Sequence, residues 1–266
     1  MLRDITIGQY FPIKSYVHKM DPRFKIIASF IFIFSLFMVK NIKIYPLVIL
    51  FLGLTIIVSK IPFSYILKGL KPIVLIILFA FFINIFLTPG RIIYKFWIFK
   101  ITYEGVIQAV FMSSRLMLLI VGTTLLTLTT SPIELTDGIE ILLNPFKKIG
   151  LPAHELAMMM TIALRFIPTL LEETDKIMKA QMARGADFES GSLIKRAKSL
   201  IPLLVPLFIG AFRRADELAM AMEARCYRGG ENRTRLKILK YSSNDLVGGI
   251  SISIYLAIIF IVGRIL

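Results

Sequence analysis

Apolar residues run almost unbroken through the first half of the chain, give way to a periodic mixture with charged residues after Thr130, and return as one run near the end. A helix crossing about 30 Å of hydrocarbon needs roughly 20 mainly apolar residues. Residues 24–39, ended by Lys40, Asn41 and Lys43, predict a first span, and 44–59, closed by Lys60, a second that is extendable at both ends. Residues 62–71 read as an interfacial helical turn with Lys68 and Lys71 at headgroup level, and 72–88 as the third span, stopped by Pro89 and Gly90. The segment 91–102 alternates aromatic or β-branched residues with Arg91, Lys95 and Lys100 and holds the only tryptophan, Trp97. That is the pattern of an interfacial belt. Residues 105–130 form a fourth span that is polar for one, with Gln108, Ser113, Ser114, Arg115 and a threonine-rich end, so it should face other helices rather than lipid. Residues 246–265 predict a fifth span, with Arg264 at its end.

Between the last two spans the pattern is amphipathic. From residue 151 to about Ala183 a stripe of Ile167, Leu170, Leu171, Thr174, Ile177, Met178 and Gln181 recurs at helical spacing, with Gly185 as its stop. Pro168, inside this stretch, lacks an N–H and clashes with the carbonyl of Leu164, which predicts a kink. A polar turn through Ser190, Gly191 and Ser192 leads to a second helix. Its apolar or small positions Ile194, Ala197, Ile201, Leu204, Phe208, Ala211, Ala215, Leu218 and Met222 alternate steps of three and four, a coiled-coil-like seam with Arg213, Arg214, Asp216 and Glu217 off it. Gly229 and Gly230 end the element. The predicted fold is an all-α integral membrane protein of about five transmembrane helices, with long amphipathic helices between the fourth and fifth. Its regions are a four-span membrane domain over 1–130, a helical domain over 131–244, and a closing transmembrane helix over 245–266.

Composition supports the membrane class: 56% hydrophobic residues, 18% charged and a mean hydropathy of +0.76 do not suit a soluble globule. The net charge of +15 admits nucleic acid, anionic lipid or an acidic protein face as partner. Its distribution narrows the choice. Residues 131–244 hold 17 basic against 13 acidic residues and nearly cancel, so most of the surplus flanks the spans as membrane-surface charge that meets anionic lipid. The basic tail 225–240 beside the closing span reads the same way rather than as a nucleic-acid site. The loop charges favour a cytoplasmic N-terminus, and four spans from there put the helical block in the cytoplasm too.

A single cysteine, Cys226, excludes an internal disulfide, and two histidines, His18 and His154, leave little for a metal cluster. Neither a P-loop, a dinucleotide fingerprint, a nucleophile elbow nor a zincin motif is present, so the chain has no nucleotide-hydrolysis signature of its own. Asp21 and Pro22 suit a helix start, as N-cap and first helical residue. Arg115 fits either an ion path or a structural arginine; the absence of acidic residues from the other spans favours the second. Arg165, with Glu155 and Asp137 as candidate partners, has the same two readings, and structural pairing again leads. Seven of the twelve methionines lie in the two long helices, where flexible thioethers suit either core filling or a surface that repacks against moving partners.

The two long helices end alike, Ala183-Arg184-Gly185 and Ala224-Arg225-Cys226, 41 positions apart. An arginine there offsets the negative helix end by roughly 0.3–1 kcal/mol. It can equally offer a planar bidentate donor, at the tip of a rigid rod, to an acidic groove on a partner.

Three stretches resemble the transmembrane T component of energy-coupling factor (ECF) transporters: His18-Lys-Met-Asp21-Pro22-Arg23-Phe-Lys25, residues 151–185 with Leu164-Arg165-Phe166 and Ala183-Arg184-Gly185, and residues 202–227 with Arg214-Ala-Asp216 and Ala224-Arg225. The second tip departs from the family pattern, with Cys226 where glycine is usual. The resemblance implies a non-catalytic scaffold in a prokaryotic cell membrane, within an ABC-type importer for a vitamin or a similar micronutrient. Two ATP-binding cassette subunits, carrying ATP and Mg, would engage the tips, Ala183, Arg184 and Gly185 on one and Ala224, Arg225 and Cys226 on the other. A membrane-embedded S component would hold the substrate, and Met178, Met182, Ala211, Ala215 and Met222 would contact it or form the helix seam. No cofactor is expected on this chain. An integral membrane enzyme with its site in the helical block, or a permease carrying its own substrate, stand as alternatives.

Overall fold

A computed structural model describes residues 10–39, 41–96, 99–188, 190, 192–230 and 239–265. Lys40, Trp97, Gly191 and the tail residues 231–238 lie outside the described residues, as do the side chains of 94–100 and of Ala197. The helices are α1 (Pro22–Met38), α2 (Tyr45–Ser59), α3 (Phe63–Leu70), α4 (Val74–Leu87), α5 (Tyr103–Thr129), α6 (Pro132–Leu143), α7 (Ala153–Ala183), α8 (Leu193–Ser199), α9 (Ile201–Ala224) and α10 (Ser243–Ile265), with one hairpin of β1 (Ile92–Phe96) and β2 (Phe99–Thr102). The chain is an all-α membrane protein. Two compact units divide the described residues, those within 10–138 together with 239–265, and those within 139–230.

The first unit is built around α5, which packs against α1, α2, α3 and α4. Small side chains allow the close approach: a Cβ on Gly69 would meet Thr124 at 2.9 Å, and one on Gly122 would meet Phe32 at 2.5 Å. A core of Leu36, Val48, Leu52, Phe111, Leu118 and Tyr255 lies inside. Phe30, Phe34, Leu75 and Phe79 point outward and are exposed. Large apolar side chains facing out along α1 and α4 suit a hydrocarbon solvent, not water. By length and composition Ile42–Ser59, α5, α7 and α10 can each cross a membrane, and α3 with α4, bent by 60°, makes a fifth candidate. The 17 residues of α1 sit at the lower limit for a span. Length and apolarity therefore do not separate α7, whose first half is apolar, from a true span.

The N-terminal motif ties three helix ends together. Asp21 is the N-cap of α1, accepting from the Arg23 N–H, with Pro22 in the first turn, as its sequence predicts. Arg23 grips the same carboxylate through Nε at 3.0 Å and Nη2 at 2.7 Å. Burial alone would raise the Asp21 pKa, but these bonds and the guanidinium charge hold it below the ordinary carboxylate value. The Asp21 N–H donates to Asp245 in the first turn of α10 at 2.7 Å. Lys25, 5% exposed, donates through Nζ to the carbonyls of His18 (3.1 Å) and Thr129, the last residue of α5 (2.9 Å). A buried ammonium here satisfies a helix-end carbonyl that has no partner within its helix.

Arg115 takes the structural role. It donates to the carbonyl of Val39, the C-cap of α1, at 2.8 Å, and its guanidinium lies 4.6 Å from the Phe111 ring centre. A cation at the negative end of α1 has a local reason to sit inside the bundle.

Two elements differ from their sequence expectation. The segment 91–102 forms an antiparallel hairpin in which Ile92 pairs with Thr102 and Phe96 with Phe99. Its alternation of residue types is the period-two signature of a strand. The expected single helix after residue 193 is two, α8 and α9, broken at Leu200. Pro202 has no N–H to continue the ladder from α8 and instead stands in the first turn of α9, where that donor would have no partner.

Candidate functional site: two matched helix tips

In the second unit α7 and α9 run side by side in opposite senses. Glu173 of α7 pairs with Arg214 of α9 at 2.5 Å, and a Cβ on Gly210 would meet Glu173 at 3.2 Å. His154, at the start of α7, faces Tyr227, just past the end of α9. The C-terminus of each helix therefore lies toward the other's N-terminus. The 31 residues of α7 span about 46 Å at 1.5 Å per residue, so the two tips stand far apart. The helix continues through Pro168.

The tips are the same structure. α7 ends at Ala183 with Arg184 as C-cap (φ −88°, ψ 6°), and α9 ends at Ala224 with Arg225 as C-cap (φ −92°, ψ 13°). At the first tip the Gly185 N–H donates to Met182 and the Ala186 N–H to Gln181, both at 2.9 Å. At the second the Cys226 N–H donates to Glu223 at 2.8 Å and the Tyr227 N–H to Met222 at 3.0 Å. Each set closes a Schellman cap, which requires a left-handed residue after the C-cap. Gly185 (φ 88°) and Cys226 (φ 57°) supply it. Glycine adopts that conformation freely, whereas cysteine pays roughly 1 kcal/mol in steric strain.

This geometry explains the repeated tripeptide. Alanine is the last helical residue, arginine caps it, and the following residue turns the chain away so that the guanidinium projects from the helix end. Arg184 and Arg225 are both exposed, and among the described residues neither guanidinium has a hydrogen-bond or ion-pair partner. Ala183, Gly185, Ala224 and Cys226 are exposed beside them.

The other sequence-derived positions divide. Met178, Ala211 and Met222 are half-buried, while Met182 and Ala215 are exposed. Along α9 the covered positions are Leu203, Leu207, Gly210, Ala211, Arg214, Leu218 and Met222, and Leu204 and Phe208 of the expected seam are exposed. Arg214, expected off the seam, is on the covered stripe because Glu173 neutralises it there. The α7 stripe of Leu170, Leu171, Thr174, Ile177, Met178 and Gln181 is half-buried as its periodicity predicts. Arg165 and Glu155 are exposed.

Sequence reasoning missed one cluster. His154 Nδ1 lies 2.9 Å from Glu140 on α6, and its Nε2 lies 3.4 Å from the Tyr227 hydroxyl. These residues are 14 and 73 positions apart, and no local spacing signals them. Among the described residues no group of three or more His, Cys, Asp or Glu could hold a metal ion.

Residues 13–236 match a family model described as cobalt transport protein, CbiQ. The chain is 61% identical over 268 aligned positions to the energy-coupling factor transporter transmembrane protein EcfT of Clostridium kluyveri, covering 100% of this chain and 98% of that one. The protein of the same name from Thermosediminibacter oceani is 60% identical over 250 positions, with 94% of each chain covered. That from Bacillus subtilis is 52% identical over 261 positions, with 98% of each covered.

Proposed function

The chain belongs to the family of energy-coupling factor transporter transmembrane proteins, and from that premise we propose that it is the coupling subunit of an ATP-driven importer. Two cytoplasmic ATPase subunits engage the tips, one receiving Arg184 and the other Arg225. A separate membrane-embedded S component binds the substrate, a vitamin or other micronutrient. The chain itself is non-catalytic and holds no cofactor; ATP and Mg belong to the ATPases. Its N-terminus and the helices α7 and α9 face the cytoplasm, with anionic lipid against the basic flanks of the spans.

The observation that carries this reading is the pair of identical caps at opposite ends of two antiparallel rods, each presenting an exposed arginine. A dipole-offsetting role would need the charge but not a shared cap that aims it. A guanidinium offers a planar fork to a carboxylate, so each tip suits an acidic groove on a protein. Because the tips are far apart, approach or separation of two bound subunits acts on the helix pair at both ends. The Glu173–Arg214 pair links the rods between those ends and passes the displacement on to the exposed apolar residues of α9, Leu204, Phe208 and Phe212.

The test is co-purification of the ATPases from membranes with the double variant Arg184→Ala/Arg225→Ala. Loss of ATPase association and of coupled uptake, with normal membrane insertion, is expected. Full association by the double variant would sink the reading, as would specific binding of the transported solute to this chain alone.

A further inference from the structure

The two tips share a cap but not a support. At the second tip the residue after the left-handed position is Tyr227, whose backbone N–H closes the cap on Met222 and whose hydroxyl lies 3.4 Å from His154 Nε2. His154 Nδ1 in turn lies 2.9 Å from Glu140. An ionised carboxylate only accepts, so Nδ1 carries the proton facing it, and in the neutral ring Nε2 is left to accept from the Tyr227 hydroxyl. The chain then folds over the same ring: a Cβ on Gly230 would stand 2.6 Å from His154 Cδ2, so glycine alone fits there. Glu140, His154 and Tyr227 are all partly buried. At the first tip the corresponding residue is Ala186, whose methyl group makes no hydrogen bond.

We propose that Glu140, His154 and Tyr227 form a brace that positions the Arg225 tip, and that tip alone, for its ATPase. The inference rests on the docking reading above. It makes His154 a positioning residue: it touches no partner, but it holds the residue whose N–H closes the cap under Arg225. The strain of a left-handed cysteine makes the second cap the weaker of the two, and the brace offsets it. The supports lie on α6 and at the start of α7, so the tip at the far end of α9 is anchored to segments distant in sequence.

Cys226, the single cysteine of the chain, reports on the cover of this tip directly. The experiment measures the labelling rate of Cys226 by a small maleimide in the full chain, alone and assembled with its ATPases. A parallel chain with Ala186→Cys and Cys226→Ser reports on the first tip. With His154 and Tyr227 intact, the thiol of each chain should be protected by assembly. His154→Ala and the milder Tyr227→Phe should raise Cys226 labelling in the complex by about three- to tenfold, the worth of one hydrogen bond, and leave the Ala186→Cys thiol protected. Unchanged protection of Cys226 in both variants overturns the brace while leaving docking intact. Loss of protection at both tips also overturns it, because His154 would then support the fold in general. If assembly protects neither thiol with His154 and Tyr227 intact, docking fails and the brace falls with it.

Discussion

The two helix tips use one solution with different security. Each helix ends Ala-Arg, each arginine is the C-cap, and the same pair of backbone hydrogen bonds closes beneath it. The first tip puts glycine where the chain must turn left-handed; the second puts cysteine there and adds a tyrosine–histidine–glutamate support. Among the described residues, local backbone hydrogen bonds close the first cap, whereas long-range contacts supplement the second. Sequence repetition thus carried the shape of both ends but not their mechanical equivalence.

The largest effect that tests the parallel is charge reversal. Arg184→Glu and Arg225→Glu should each weaken ATPase association by about 10- to 100-fold, the value of one or two charge-assisted hydrogen bonds, in a binding titration on the purified chain. A loss at only one position would break the parallel.

Next is the glycine. Gly185→Val places a β-branched residue at φ 88° and should destabilise the chain by about 1–2 kcal/mol in denaturant unfolding. An added Cβ at Gly185 meets nothing within 4 Å, so the cost is backbone strain alone. An unchanged stability would mean that this cap opens without consequence.

Smaller, and of opposite sign, is Cys226→Gly, which should stabilise by about 0.5–1 kcal/mol in the same assay. A destabilised variant would show that the thiol makes a contact worth more than the strain it causes.

Least of all, Glu173→Gln should cost about 0.5 kcal/mol, since the pair with Arg214 is only half-buried. The same substitution should lower coupled uptake without altering ATPase association, because it lies between the tips rather than at either. A fall in association as large as that of a tip variant would place Glu173 in the docking surface.

Much of the architecture was legible because membrane helices announce themselves by long apolar runs, and each predicted span contains a helix. The start of α1 was legible too, since Asp21 and Pro22 satisfy a local rule of helix initiation. The hairpin at 92–102 was missed because alternating aromatic and basic residues suit both a membrane interface and a strand. The break at Leu200 was missed because an apolar periodicity spaced by three and four says nothing about whether the backbone ladder is continuous. Arg214 was assigned outward on charge alone; its partner Glu173 lies 41 positions away on another helix.

What the sequence determined by itself is the membrane class, the order of the helices, and the twin Ala-Arg ends, because these depend on composition, on periodicity and on residues within a few positions of one another. Tertiary structure decided which face of α9 is covered, why Arg115 and Lys25 tolerate burial, and how His154 comes to hold the second tip. Each of these depends on a carbonyl, carboxylate or hydroxyl brought in from a distant part of the chain, and such partners leave no trace in local spacing.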